Sequence, residues 1–176
     1  MMNTLPQYKR LVQTSVTNFL HCGDEYLFME RHPGQWINAG EMNGIGGRLE
    51  PGENYLDAAI RETKEEIGLN IDPKQIELCG ILKIDGGYDE DWVVGIFRIS
   101  ISSKNLPVGD KTLQGDALHW IHKNKVLTEN YKLVDDIRYI FNDVAEGNHL
   151  FFMNAVLDEN KKIKSHTYSK IARQIK

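Results

Sequence analysis

The sequence predicts an α/β fold with a mixed β-sheet, and three observations lead there. Short runs rich in Val, Ile, Thr and aromatic residues recur between turns dense in glycine and acids. Two well-separated segments, residues 54–67 and 131–144, place apolar residues at helical spacing. Strands broken by isolated helices in this way build a sheet that helices cover. At 176 residues and 41% hydrophobic content the chain suits one domain, residues 1–176, with a sizeable core.

Taken in order, residues 11–20 are rich in Val and Thr and residues 26–29 are an apolar-aromatic run. Between them His21-Cys22-Gly23-Asp24-Glu25 supplies turn chemistry, so the pair reads as a β-hairpin. Residues 31–41 contain Pro33, Gly34 and Gly40 and form a loop that could cover a site. Residues 43–49 make a short strand leading into a sharp turn, because Gly44, Gly46, Gly47, Pro51 and Gly52 suit neither a helix nor a strand interior. The helix of residues 54–67 turns Leu56, Ala59, Ile60, Thr63 and Ile67 inward, and Gly68 stands where a left-handed cap is expected.

Residues 75–84 and 92–101 are strands joined by Asp85-Gly86-Gly87-Tyr88-Asp89-Glu90-Asp91, read as a solvated hairpin tip. Residues 118–122 form a short strand. In the second helix, residues 131–144, Leu133, Val134, Ile137, Ile140, Phe141 and Val144 face the core. Residues 150–156 and 161–168 close the chain as a hairpin about Asp158-Glu159-Asn160.

Several functional classes are disfavoured. A net charge of −4 argues against a polyanion-binding surface, so a nucleic-acid polymer is not an expected partner, whereas a small nucleotide bound through a metal is compatible. Cys22 and Cys79 are not in CxxC spacing and no secretory leader is evident, which points to free thiols in a reducing cytoplasm. No apolar run approaches the ~18 residues that span a membrane. There is no HExxH zinc pattern, no GxSxG elbow and no GxxxxGK loop.

The chemistry concentrates in residues 43–69. Stepping ~100° per residue, Glu62, Glu65 and Glu66 share one flank of the first helix. Like charges at i, i+4 cost a few tenths of a kcal/mol, and acids near a helix C-terminus oppose the macrodipole. Two readings follow. Either a divalent cation compensates the acids, Mg²⁺ taking one or two carboxylates plus phosphate and water, or the face is solvated, with Arg61 paired to Glu65 one turn on.

A family resemblance favours the first. Gly47, five residues, Glu53, seven residues, Arg61-Glu62, then Glu65-Glu66, one residue and Gly68-Leu69 resembles the Nudix box of hydrolases that cleave a nucleoside diphosphate linked to another group. One departure is Thr63, where the family usually carries an aliphatic residue. The resemblance implies an α/β/α sandwich and Mg²⁺, or Mn²⁺, held by Glu62, Glu65 and Glu66. It also implies catalysis through Glu65, Glu62 and Arg61, the arginine orienting Glu65 or Glu53. Gly46 and Gly47 would let the backbone approach the phosphates.

Over the whole chain the order of elements is similar to the branch of Nudix hydrolases that removes oxidised purine nucleoside triphosphates such as 8-oxo-dGTP. That likeness implies a base contact at Asn43, directly before Gly44. Where part of that branch carries a Trp followed closely by an acidic pair that reads the base, this chain has Tyr131-Lys132-Leu133-Val134, which makes Tyr131 the second base candidate, with Asp135-Asp136 nearby inside the predicted helix. Alternative substrates within the family are ADP-ribose, NADH or a nucleotide sugar, and a nucleotide-sensing module without turnover is a further alternative.

Overall fold

The computed structural model describes residues 10–34 and 39–173, so part of the loop assigned to residues 31–41 lies outside the described residues. A mixed sheet of eight strands runs through the molecule. Its centre is β1 (Val12–Cys22) lying parallel to β5 (Asp91–Ser100), from Val12 opposite Asp91 to His21 opposite Ser100. β5 pairs antiparallel with β4 (Ile76–Asp85), β4 pairs parallel with β7 (His149–Leu157), and β7 pairs antiparallel with β8 (Ile163–Ala172). On the other side β2 (Glu25–Glu30) joins β3 (Met42–Asn43) and β6 (Ala117–His122).

β1 and β2 make a hairpin in connection only. They share two pairs, His21 with Tyr26 and Cys22 with Glu25, before β2 leaves to pair with β6 along its whole length. The freed edge of β1 is taken up by the glycine-rich segment: Ile45 exchanges both backbone bonds with Asn18, Gly47 O accepts from Val16 N–H, and Leu49 N–H donates to Thr14 O. The strand expected over residues 43–49 is therefore regular only at Met42–Asn43 and continues as single bridges. Gly46, at φ 153°, interrupts the pleat, and a Cβ there would stand 2.1 Å from Val16 O.

Helices cover both faces, as the alternation along β1 requires. Phe19 packs with Phe28, Leu82 and Phe151 under α3 (Ile137–Glu146), whose Ile137, Ile140, Phe141 and Val144 are buried. Val16 and Phe97 pack on the opposite face against Ala58 and Ala59 of α1 (Tyr55–Ile67). A one-turn helix, α2 (Lys123–Val126), and a 3₁₀ turn at Pro73–Gln75, closed by an Asp72 capping box, were not anticipated from periodicity.

The second helix starts six residues later than its spacing predicts. Val134 N–H donates to Met42 O and Leu133 bridges Met42 in parallel, so strand-like contacts hold residues that would otherwise extend the helix. The acidic turn also departs from a freely solvated tip. Glu90 accepts from Gln13 and Arg48, and Asp91 from Arg10. Among the described residues no helix is long and apolar enough to cross a membrane. Both cysteines are free thiols, and burial pushes that of Cys79 up to about 12.

Candidate active site

α1 begins at Asn54, whose side-chain oxygen accepts from Leu56 and Asp57 N–H, and ends at Gly68, whose left-handed backbone at φ 75° lets its N–H reach Lys64 O. Its buried residues are Ala58, Ala59, Thr63, Glu66 and Ile67, while Leu56, expected inside, is 38% exposed. The inward stripe is thus rotated toward the acids. Glu66 lies within it, Glu62 at its border and Glu65 outside, with side-chain exposures of 12% for Glu62 and 53% for Glu65.

Asn18 on β1 accounts for that rotation and for the unusual Thr63. The wholly buried Asn18 donates from Nδ2 to Ala59 O at 2.9 Å and to Thr63 Oγ1 at 3.0 Å, and the threonine hydroxyl in turn donates to Ala59 O. An aliphatic residue at 63 would leave part of a buried amide unpaired, at about 1–3 kcal/mol. The sequence shows the threonine but not its partner.

Arg61 gathers the acids. Nε and Nη2 clasp Glu53 at 2.8 Å each, Nη1 donates to Glu62 Oε1 at 2.8 Å and to Glu65 Oε2 at 3.0 Å, and Nη2 also reaches Arg48 O. The arginine therefore orients both expected partners, Glu53 and Glu65, and Glu62 as well. Its guanidinium holds the Glu53 carboxyl below the usual carboxylate range, while burial pushes that of Glu62 up. Gly47 permits this closeness, because a Cβ there would stand 2.5 Å from Glu62 Oε1.

Glu66 is the most enclosed acid of the set. Gly46 N–H donates to its Oε2 at 3.1 Å, yet burial raises its carboxyl from 4.5 to about 7, opposed by the charge of Arg31. In the folded, metal-free protein Glu66 thus binds its proton more tightly than in the unfolded chain. The stability it contributes is complete below pH 4.5 and is lost as pH rises through about 7. Urea unfolding in EDTA should show wild type losing on the order of 3 kcal/mol more between pH 4 and pH 8 than Glu66→Gln does. Equal pH slopes for the two proteins would refute the buried, proton-retaining carboxyl.

A cleft of about 290 Å³ opens beside the glycine segment. Gly46, Gly47 and Arg31 lie on it together with Asn43, Trp92 and Asp136. Asn43 holds its own turn as well, since its Oδ1 accepts from Gly44 N–H at 2.8 Å. Tyr131, the other residue expected at the base, is not on the cleft: its hydroxyl donates to Glu129 and its ring packs against the core under α3. Asp136 is there instead, half-buried at the entrance to α3, its carboxyl raised by burial to about 6.

Arg31 opens the loop expected to cover a site, whereas sequence reasoning missed Arg48, Tyr88 and Trp92, which also line the cleft. Arg48 stacks on the Trp92 ring at 5.0 Å and is tied to Glu90.

Among the described residues no group of three or more His, Cys, Asp or Glu side chains is arranged so that it could hold a metal ion. Glu62 and Glu65 bind Arg61, and Glu66 binds a backbone N–H. The donor set is nonetheless all oxygen and excess in negative charge, which fits a hard cation that needs only one or two carboxylates beside phosphate and water.

The NUDIX domain family model matches residues 12–144. The chain belongs to the NUDIX domain family. This NUDIX protein is 30% identical over 93 residues to Nudix hydrolase 3 of Caenorhabditis elegans, a match covering 52% of this chain and 39% of that protein. The chain thus matches well under half the length of that relative. The crystal structure of a MutT protein from Bacillus halodurans superposes with a TM-score of 0.72 at 21% identity, over 89% of this chain and 97% of that one. A bifunctional NMN adenylyltransferase/ADP ribose pyrophosphatase from Francisella tularensis, complexed with AMP and a Mn ion, gives 0.61 at 18% identity, over 78% of this chain and 42% of that one. At such identities both establish the mixed α/β fold of this NUDIX protein.

Proposed function

We propose that the chain is a metal-dependent nucleotide diphosphohydrolase that converts a purine nucleoside triphosphate, 8-oxo-dGTP among them, to the monophosphate and diphosphate. One observation carries this reading. Gly46 and Gly47, which lie against Glu66 and Glu62, belong to the same cleft as Asn43 and Asp136, so phosphate chemistry and base recognition share one cavity. Glu62, Glu65 and Glu66 would hold Mg²⁺ or Mn²⁺, which would neutralise phosphate charge and lower the pKa of water.

The chain's own groups do the remainder. Gly46 and Gly47 admit the phosphates close to the backbone, and Arg31, which lines the same cleft and whose charge acts on Glu66, offers them a guanidinium. Arg61 fixes the directions of Glu53, Glu62 and Glu65, and a glutamate of the box, Glu65 or Glu62, takes the proton of the attacking water. The order of elements, similar to the oxidised-purine branch, and the place of Asn43 before the glycine segment support the purine triphosphate. The two unbridged cysteines suit a reducing cytoplasm.

A second reading within the family is hydrolysis of a dinucleotide-like diphosphate such as ADP-ribose, NADH or a nucleotide sugar, and the name of the Francisella tularensis protein, an ADP ribose pyrophosphatase, points to the first of these. Mass identification of products from a nucleotide panel, with Mg²⁺, Mn²⁺ or EDTA, separates the two. Monophosphate and diphosphate from a purine triphosphate supports the first, and AMP from ADP-ribose or NADH the second. No product from any nucleotide favours a nucleotide-sensing module without turnover.

Base recognition has its own test. Asn43 presents an amide to the cleft and also closes its turn through Gly44 N–H. If the amide reads the base, Asn43→Ala lowers kcat/KM for a purine triphosphate by about 1–3 kcal/mol and affects a pyrimidine triphosphate far less. An equal loss on both, with an earlier melt, assigns Asn43 to the turn alone.

A further inference from the structure

The β7–β8 turn bears on the cleft in a way the Nudix box does not account for. Lys161, expected to open the last strand, instead lies in this turn, and its φ of 61° is the left-handed backbone of a non-glycine residue. Lysine is a poor choice for that conformation, which glycine or asparagine adopts at lower cost, and residues kept in sparse backbone regions cluster at functional sites. The side chain has a definite target. Its ammonium lies 4.9 Å from the ring centroid of Tyr88.

Tyr88 is part of the cleft wall, edge-to-face with Trp92 at 6.4 Å between centroids. The turn that carries it contains two consecutive left-handed glycines, Gly86 and Gly87, and its backbone is held where Arg10 donates to Tyr88 O and Gly86 N–H donates to Asp91 Oδ1, so the lysine acts on the ring. The turn rests on the β7–β8 hairpin: a Cβ on Gly87 would stand 2.6 Å from Leu157 Cβ. That hairpin is in turn tied to the entrance of α3, where Asp135 Oδ2 accepts from Ile163 N–H at 2.9 Å, next to Asp136. Lys161, Tyr88 and Asp136 also share a small cavity of about 20 Å³.

Given the reading of the cleft as a nucleotide site, we propose that Lys161 is a positioning residue for base recognition. It fixes Tyr88 as a wall of the cleft through cation–π attraction, so the C-terminal hairpin takes part in substrate selection.

The test is steady-state kinetics on a purine triphosphate turned over by wild type. Lys161→Gly keeps the left-handed turn and relieves its strain, so it should melt no lower than wild type. Its KM should rise about fivefold, as expected from loss of a cation–π contact, with kcat within about twofold. Lys161→Arg should restore KM. In a Tyr88→Leu background, removing the lysine should have little further effect.

An unchanged KM in Lys161→Gly overturns the proposal. So does the same rise in the Tyr88→Leu background, which would place the action of the ammonium elsewhere. A lowered melting temperature with a parallel loss of kcat would make the role purely structural. If wild type neither turns over nor binds any nucleotide, the reading of the cleft itself fails, and the proposal with it.

Discussion

Glu65→Gln and Glu66→Gln each lower kcat by about a hundredfold or more while the fold persists. A cation at a phosphoryl site supplies several kcal/mol of charge stabilisation in the transition state, and each ~1.4 kcal/mol is tenfold in rate. Neither substitution removes a structural support. Glu65 is 53% exposed and bonded to Arg61, which keeps Glu53 and Glu62. A glutamine at 66 can still accept from Gly46 N–H through its amide oxygen, and it spares the fold a buried charge. Circular dichroism and turnover at saturating Mg²⁺ check both halves. Near wild-type turnover in both variants would remove the metal role from this flank of α1.

What the sequence disclosed was local in origin. The spacing from Gly47 to Leu69 could be read because box acids, loop glycines and helix caps lie within 23 residues of one another. Asn54 and Gly68 cap α1 for reasons visible in the residues themselves. The partners that shape the site come from far along the chain. Thr63 looked like a tolerated departure, whereas it receives the amide of Asn18, 45 positions earlier, in a buried polar pair.

Long-range pairing also overrode periodicity. Residues 131–136 carry the spacing of a helix, but Leu133 and Val134 are captured by Met42, so Tyr131 lies off the cleft and Asp136 on it. The aromatic wall of Tyr88 and Trp92 was equally hidden. It faces the glycine segment because β5 lies parallel to β1 while that segment takes the opposite edge of β1, an arrangement no local window contains.

Arg61→Ala should damage stability and catalysis together, a combination that neither glutamine variant shows. Five hydrogen bonds leave with the guanidinium, two of them the paired bonds to Glu53. Glu53 and Glu62, each with 12% side-chain exposure, then face Glu65 with no cation among them. Stranding partly buried carboxylates in this way costs about 2–3 kcal/mol, and the loop from Arg48 to Glu53 loses its tether to α1. With the carboxylates misdirected, kcat/KM should fall by about a hundredfold or more. Arg61→Lys should recover only part, because an ammonium cannot clasp Glu53 with two parallel N–H groups.

The pH dependence adds a signature. Arg61 depresses the Glu53 carboxyl, so the stability from that pair is present above the ordinary carboxylate pKa of 4.5 and is lost as pH falls through the lowered one. The stability gap between wild type and Arg61→Ala should therefore narrow below pH 4.5. Urea unfolding across that range, with kcat/KM measured at neutral pH, provides the check. A lysine variant indistinguishable from wild type in both would show that charge alone, and not the forked geometry of Arg61, organises the acids.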